Sequence, residues 1–183
     1  MAALIMKTLR ASHCTLEPLV AAHAREMFAV LGDPRIYEFE NEPPPSEDWL
    51  RQRYARLESR VSPDGTEKWL NWVIRLPGGE LAGYVQATVL PSGASYVAYE
   101  IASRYWRRGI GSSAVRAMLE ELGPAYGVHT FVAVFKEANY RSSSLLRRLG
   151  FTPASPLQAA QYGAEAGEQV MCMASGNARN AAG

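Results

Sequence analysis

Two cysteines, three histidines and a formal net charge of +1 are what 183 residues offer to chemistry that depends on thiols, imidazoles or a charged field. Cys14 and Cys172 lie near opposite ends, and no Cys-x-x-Cys or Cys/His cluster has metal-ligand spacing, so no metal is expected. Both sit in short apolar stretches, which favours buried free thiols and leaves a disulfide between them open. His13, His23 and His129 are scattered without partner spacing and read as ordinary histidines. The near-zero charge excludes a nucleic-acid partner held by a general basic field, which needs many unpaired cations. Long apolar runs are missing too. Met1 to Met6 is apolar but gives way to Lys7 and Thr8, too short for a signal segment or a membrane span. A cytoplasmic protein with no membrane partner is the expectation. No internal repeat is visible, and no Gly-Lys-Ser/Thr completes a Walker A loop.

What is present is an ordinary globular composition, 48% hydrophobic and 20% charged. The length suits one domain, 1–173, followed by a frayed tail over 174–183 of Ala, Gly, Asn and Ser. The pattern predicts a strand over Ser12 to Glu17, stopped at Pro18. A helix over Ala21 to Leu31 follows, with Ala24, Met27, Phe28 and Leu31 as its apolar stripe and Gly32 as its stop. Glu42-Pro43-Pro44-Pro45 is a rigid connector. Ser46 is placed to cap a second helix carrying Leu50, Tyr54 and Leu57, with Ser62 to Gly65 as its end. An antiparallel meander comes next: Leu70 to Leu76, a Pro77-Gly78-Gly79 turn, Leu81 to Val89, a Pro91-Ser92-Gly93 turn, and Ser95 to Ala102. A third helix is expected with Ala114, Val115, Met118, Leu119 and Leu122 buried and Gly123-Pro124 as its end. A strand over His129 to Phe135, a short helix carrying Leu145, Leu146 and Leu149, and a strand over Gln169 to Met173 complete the chain. Strand–helix–strand from Ser95 to Phe135 should be a right-handed crossover with parallel strands. The class is α+β, with a mixed sheet rather than a doubly wound one.

The chemistry concentrates in Glu100 to Ser113. A strand runs into a basic, glycine-containing turn that opens a helix, whose first N–H groups and positive dipole end suit an anion. Gly109 and Gly111 let the backbone approach a ligand closely, Arg107 and Arg108 add charge, and Ser112 adds a hydroxyl donor. A pyrophosphate cradle is one reading and a plain tight turn the other. A Rossmann fingerprint fits poorly: Ala114 stands where the third glycine belongs, no acidic residue ends the next strand, and the preceding strands are antiparallel.

Tyr105-Trp106-Arg107-Arg108-Gly109-Ile110-Gly111 resembles the signature loop of the general-control-type (GNAT) N-acetyltransferases. Asn139, Ser142, Arg148, Gly150 and Phe151 are similar to the Asn-x-x-Ser and basic-x-Gly-Phe pattern of that superfamily. Leu16-Glu17-Pro18-Leu19 and Gly32-Asp33-Pro34-Arg35-Ile36 are similar to its Rim-type branch, which acetylates ribosomal-protein N-termini. The likeness covers Leu16 to Phe151. Two departures stand out: Trp106 occupies the first position of the loop signature, and Leu146 occupies the position where many members carry the tyrosine that protonates the leaving thiolate.

The resemblance implies an acyl-CoA N-acyltransferase fold, with a mostly antiparallel mixed sheet, flanked by helices, that splits between two parallel strands. It implies acetyl-CoA as donor co-substrate, its pantetheine arm against Ile101 and Ala102, its pyrophosphate on the amides from Arg108 through Ile110 to Ser112, Asn139 near the thioester, and Arg148 near the 3′-phosphate. Glu100 is the implied base, with a structural carboxylate as the other reading. Ser142 is the candidate donor to the leaving sulfur, with a helix-capping hydroxyl as the other reading; Ser143, Ser144 and Tyr140 keep the assignment open. The acceptor should lie between the first two helices and the final hairpin. Tyr37, Glu38, Phe39, Glu40 and Glu42 make that entrance aromatic and acidic, which favours a cationic amine such as a peptide N-terminus, a polyamine or an aminoglycoside. A non-catalytic acyl-CoA sensor and a nucleotide-binding regulatory domain are the competing readings, and a homodimer is left open.

Overall fold

A computed structural model describes residues 4–178. Eight strands form one sheet: β1 Leu9–Arg10, β2 Thr15–Pro18, β3 Lys68–Arg75, β4 Leu81–Val89, β5 Ala94–Ile101, β6 Thr130–Lys136, β7 Thr152–Pro153 and β8 Glu168–Ala174. Their order is β1-β2-β3-β4-β5-β6-β8-β7. The helices are α1 Ala24–Leu31, α2 Glu47–Leu57, α3 Ile110–Tyr126, α4 Tyr140–Arg148, α5 Pro156–Gln161 and α6 Ser175–Ala178. All neighbouring strands run antiparallel except β5 and β6, which are parallel. This is the mixed, mostly antiparallel sheet the chain pattern predicts.

The parallel pair is short. Ala94, Ser95 and Tyr96 pair with Thr130, Phe131 and Val132, and no pairing continues beyond them. Yet β5 stays bonded to β4 as far as Ile101, and β6 stays bonded to β8 as far as Lys136. The sheet therefore splits along one seam, with both lips held by their outer neighbours.

Trp72, Phe131, Leu16, Leu70, Ile74, Met118 and Met171 are among the largest fully buried side chains. They belong to one hydrophobic cluster running from Met6 to Met173. Burying a Leu, Ile or Met side chain contributes about 1.5–3 kcal/mol each, so this cluster is the main stabilising term. Cys14 and Cys172 are both free thiols. No helix among the described residues is long and apolar enough to cross a membrane.

Several local expectations need correction. Pro18 does not stop the first long strand but ends inside it, paired with Trp72, where a proline at a strand end forfeits little. The α1 region opens with a 3₁₀ turn over Ala21–His23, and the α-helix begins at Ala24. Helix α2 is capped by Ser46, which accepts from the Trp49 amide, but ends at Leu57, before Ser62. Gly123-Pro124 does not end α3. The proline sits in its last turn, and the stop is Gly127, left-handed at φ 69°, whose N–H bonds back to Gly123 and Leu122. β1, β7, α5 and α6 have no counterpart in the pattern. In the expected frayed tail, Ser175–Ala178 is helical, and 179–183 lie outside the described residues.

One backbone approach packs β4 tightly on the outer side of the β5 lip. Between Ile74 and Arg75 the β3–β4 register slips, and beside the slip Gly83 passes so close to β5 that a Cβ would lie 2.0 Å from the Glu100 carbonyl oxygen. A side chain there must push β5 away. Gly83→Ala is expected to lower unfolding stability by about 2 kcal/mol or more. Urea titration measures it, and a loss below about 0.5 kcal/mol, the range of neutral surface changes, would refute the close approach.

Candidate active site

The seam opens into a cavity of about 980 Å³ lined by Val97 to Ile101 from β5, Ala133 to Phe135 from β6, the glycine turn and α4. Where β5 and β6 part, their facing N–H and C=O groups lose the partners a sheet interior supplies.

At one end lies the turn before α3. Arg107 (φ 61°) and Gly109 (φ 76°) are both left-handed, a conformation that turns successive amides toward one side. The first ladder bond of α3 runs from the Ser113 amide to the Gly109 carbonyl. The amides of Ile110, Gly111 and Ser112 therefore have no acceptor inside the helix. A Cβ on Gly111 would meet Ile101 Cδ1 at 2.9 Å and Leu145 Cδ1 at 3.0 Å, so glycine lets the helix start sit against both β5 and α4. From behind, the Ser113 hydroxyl accepts the His13 amide at 3.2 Å and bonds the Ser12 hydroxyl at 3.0 Å. Arg107, Gly109, Gly111 and Ser112 line the cavity; Arg108 is exposed beside it, and Ile110 is buried and offers main chain alone.

On the β5 lip the expected arm-binding residues divide. Ile101 lines the cavity, and its carbonyl accepts the Trp106 indole N–H at 2.7 Å. The Ala102 amide donates to Ala82 at 2.9 Å and is spent holding β5 to β4, so the usable edge ends at Ile101.

Glu100 also lines the cavity. It stands opposite Tyr84 on β4, whose hydroxyl bonds it, and Asn41 Nδ2 donates to its Oε1 at 3.1 Å. Burial pushes its pKa above the ordinary carboxylate value, and the Tyr84 and Asn41 bonds offset only part of that push. A carboxyl with a raised pKa beside an open cleft is suited to take a proton near neutral pH.

Across the seam, Asn139 caps α4 by accepting the Ser142 amide at 3.1 Å and donates to Glu40 Oε1 at 3.1 Å. The capping role thus falls to Asn139, and the Ser142 hydroxyl is not needed for it. Ser142 lines the cavity, and its carbonyl accepts the Tyr99 hydroxyl at 3.5 Å. Burial pushes the Tyr99 pKa up to about 12, so it stays a protonated donor at neutral pH. Leu146 is 1% exposed and carries no hydroxyl to this end. Arg148 lines the cavity.

The acceptor-side residues are tied to the protein. Tyr37 and Phe39 line the cavity, and the Tyr37 hydroxyl donates to the Leu31 carbonyl at 2.8 Å. Glu38 pairs with Arg141 at 2.7 Å, and its side chain is 47% exposed. Arg141 also lies over Trp106, Tyr140 and Phe39, at 4.4, 5.1 and 5.2 Å. Of the entrance acids, Glu38 is paired with Arg141, and Glu40 is oriented by the Asn139 amide, which leaves its charge in place.

Sequence reasoning missed Tyr84, Asn41, Tyr99 and Arg141. Tyr84 was within reach: in a hairpin turning at Pro91-Ser92-Gly93, residues equidistant from Ser92 face each other, and Tyr84 and Glu100 do. Asn41 and Arg141 carry no such signal, because long-range packing brings them in.

A split mixed sheet, an amide-lined turn and a raised carboxyl thus share one cavity. The acetyltransferase (GNAT) domain model matches residues 13–152, and the chain belongs to that family of acetyl-CoA-dependent acetyltransferases. No curated protein matches the sequence. Solved structures with a similar fold include RimL, the ribosomal L7/L12 alpha-N-protein acetyltransferase in complex with coenzyme A: TM-score 0.77, 16% identity, 92% of this chain and 98% of that one. Ribosomal-protein-S5-alanine acetyltransferase from Vibrio fischeri aligns at 0.74 with 18% identity, over 93% and 97%. A spermidine N-acetyltransferase SpeG chimera from Vibrio cholerae aligns at 0.73 with 17% identity, over 92% and 99%. At these identities the likeness shows the fold.

Gly109→Val is expected to weaken coenzyme A binding by about tenfold or more, since a β-branched residue resists the left-handed backbone that aims the amides. Calorimetric titration reads this, with circular dichroism as the check on folding. Unchanged affinity in a folded variant would remove the turn from the binding site.

Proposed function

We propose that the protein transfers the acetyl group of acetyl-CoA to a primary amine, by direct attack within a ternary complex and with Glu100 as the base. The observation that carries this is the position of Glu100: a half-buried, raised carboxyl in the same cavity as the open β5 lip and the glycine turn. Relatives in fold bear names that specify amine acceptors, a protein N-terminus for RimL and spermidine for SpeG.

Acetyl-CoA supplies the acetyl group as a thioester. The amides at the start of α3 hold its diphosphate, with Arg107 beside them, and the unpaired edge of β5 takes the arm. Arg148 faces the same cleft and is placed for a further phosphate. Glu100, directly or through a water, accepts the proton that the attacking ammonium must lose. An α-amino group titrates near pH ~8, so modest help suffices. Main-chain N–H groups at the parted lips polarise the carbonyl under attack. The leaving sulfur meets hydroxyls from Ser142 and Tyr99, which stand where Leu146 offers none. Asn139 holds Ser142 in place through the cap it makes.

Glu100→Gln should lower kcat by about 10²–10⁴-fold, the usual worth of a general base, while coenzyme A affinity is kept. A carboxyl raised in the folded state is at its base form only above that raised pKa. In the wild type kcat/KM therefore climbs with pH through a midpoint above the ordinary carboxylate range. Ionising the half-buried group costs stability as pH rises from the unfolded value through the folded one, so the variant should melt no lower than wild type at neutral pH. Full activity in Glu100→Gln, or a melting loss in step with the activity loss, would reduce Glu100 to a structural carboxylate.

A further inference from the structure

Beyond Glu100 the cavity continues over the face of β3 to β5, away from the seam and under α2. Asn71, Gln86 and Ala98 lie in register across the three strands, one row along from the Tyr84–Glu100 pair. All line the cavity, and Ala98 leaves room above the row. Asn71 is 4% exposed, and among the described residues nothing bonds its side-chain amide or that of Gln86. Tyr54 of α2 lines the same cavity, and its hydroxyl is fully buried with no hydrogen-bond partner, which is costly unless a ligand satisfies it. The Asn71 and Gln86 amides open onto the cavity and are free to bond what enters it.

Arg53, one turn along α2 from Trp49, stands at the same end. It lines both the main cavity and an adjoining one of about 190 Å³, which it shares with Asn71 and Gln86 and which does not reach Glu100. Its guanidinium lies over the Trp49 ring at 5.7 Å, and among the described residues it has no carboxylate partner. Its charge acts on Glu100, Tyr84 and Tyr54, so it is within electrostatic reach of the cavity.

We infer that the acceptor is an amine carrying its own anionic group, bound with the amine at Glu100 and the anion at Arg53, between Asn71 and Gln86. This rests on the acetyl-transfer reading and narrows its acceptor. The two ends of the space are of opposite charge, which complements a zwitterion, whereas a polyamine would set a second ammonium against Arg53. The Asn71–Gln86–Ala98 row lies two residues of strand, roughly 7 Å, from Glu100, and Arg53 stands over that side of the space on α2. Of the acids expected to attract a polyamine, Glu38 is already paired with Arg141.

Three primary amines of matched length test this: 6-aminohexanoate, hexylamine and 1,6-diaminohexane, with thiol release from acetyl-CoA as readout. The carboxylate should lead in kcat/KM by about tenfold, a difference of ~1.4 kcal/mol. Arg53 is exposed on its helix, so Arg53→Glu should fold, and it should reverse the order in favour of the diamine. A wild-type enzyme that prefers the diamine, or an order untouched by Arg53→Glu, would overturn the inference. Thermal stabilisation of the coenzyme A complex by the same amines gives a readout without turnover. Stabilisation by 6-aminohexanoate alone, with no acetylation of any amine, would keep the zwitterion site and defeat the transfer reading. Stabilisation by the diamine alone would defeat the site.

Discussion

Everything at the active site depends on two parallel strands that stop pairing after three residues. Below Tyr96 and Val132 the sheet is continuous; beyond them β5 and β6 diverge, each still bonded to its outer neighbour. Unsatisfied main-chain groups inside a protein are expensive, so such a gap persists only where something else can occupy it. An extended amide-bearing arm can bond to a strand edge as another strand would, and pantetheine is such an arm. Gly83 lets β4 approach the Glu100–Ile101 end of β5 closely, while the far lip follows β8.

The segment between α1 and α2 closes one side of this gap through a series of specific bonds. Asp33 accepts the amides of Arg35 at 3.0 Å and Ser103 at 2.6 Å, pinning the segment to the end of β5. Asn41 reaches Glu100, Glu40 reaches Asn139, and Glu38 reaches Arg141, which packs in turn on Trp106. One short stretch thus bonds Glu100 and the α4 cap, and reaches Trp106 before the glycine turn through Arg141. Because Asn41 bonds Glu100 directly, this segment helps tune the carboxyl, while burial keeps its pKa raised.

Much of this architecture could be read from residue order. Alternation and turns located the meander, the Ser46 cap located α2, and the glycine turn after a strand located the start of α3, because each depends on chemistry within a few residues. Helix α3 outran its expected end: Pro124 is accommodated in its last turn, and the left-handed Gly127 closes it three residues later. The two-residue strands β1 and β7 are too short for any periodicity and exist through their partners. The site divided in the same way. Arg107, Gly109, Gly111 and Ser112 line the cavity as local reasoning placed them, but the carboxylates of Glu38 and Glu40 are engaged by Arg141 and Asn139, more than ninety residues away in sequence. Charge at an entrance cannot be read from a run of acids until its partners are known.

The central claim is that the parted strands and the start of α3 form one receptor for the donor. Amide hydrogen exchange with and without coenzyme A measures it directly. Slowed exchange concentrated in Val97 to Ile101 and in Arg108 to Ser112, with β2 and β3 unaffected, is the predicted result. Protection absent from both segments at saturating coenzyme A, or confined to another face, would contradict it.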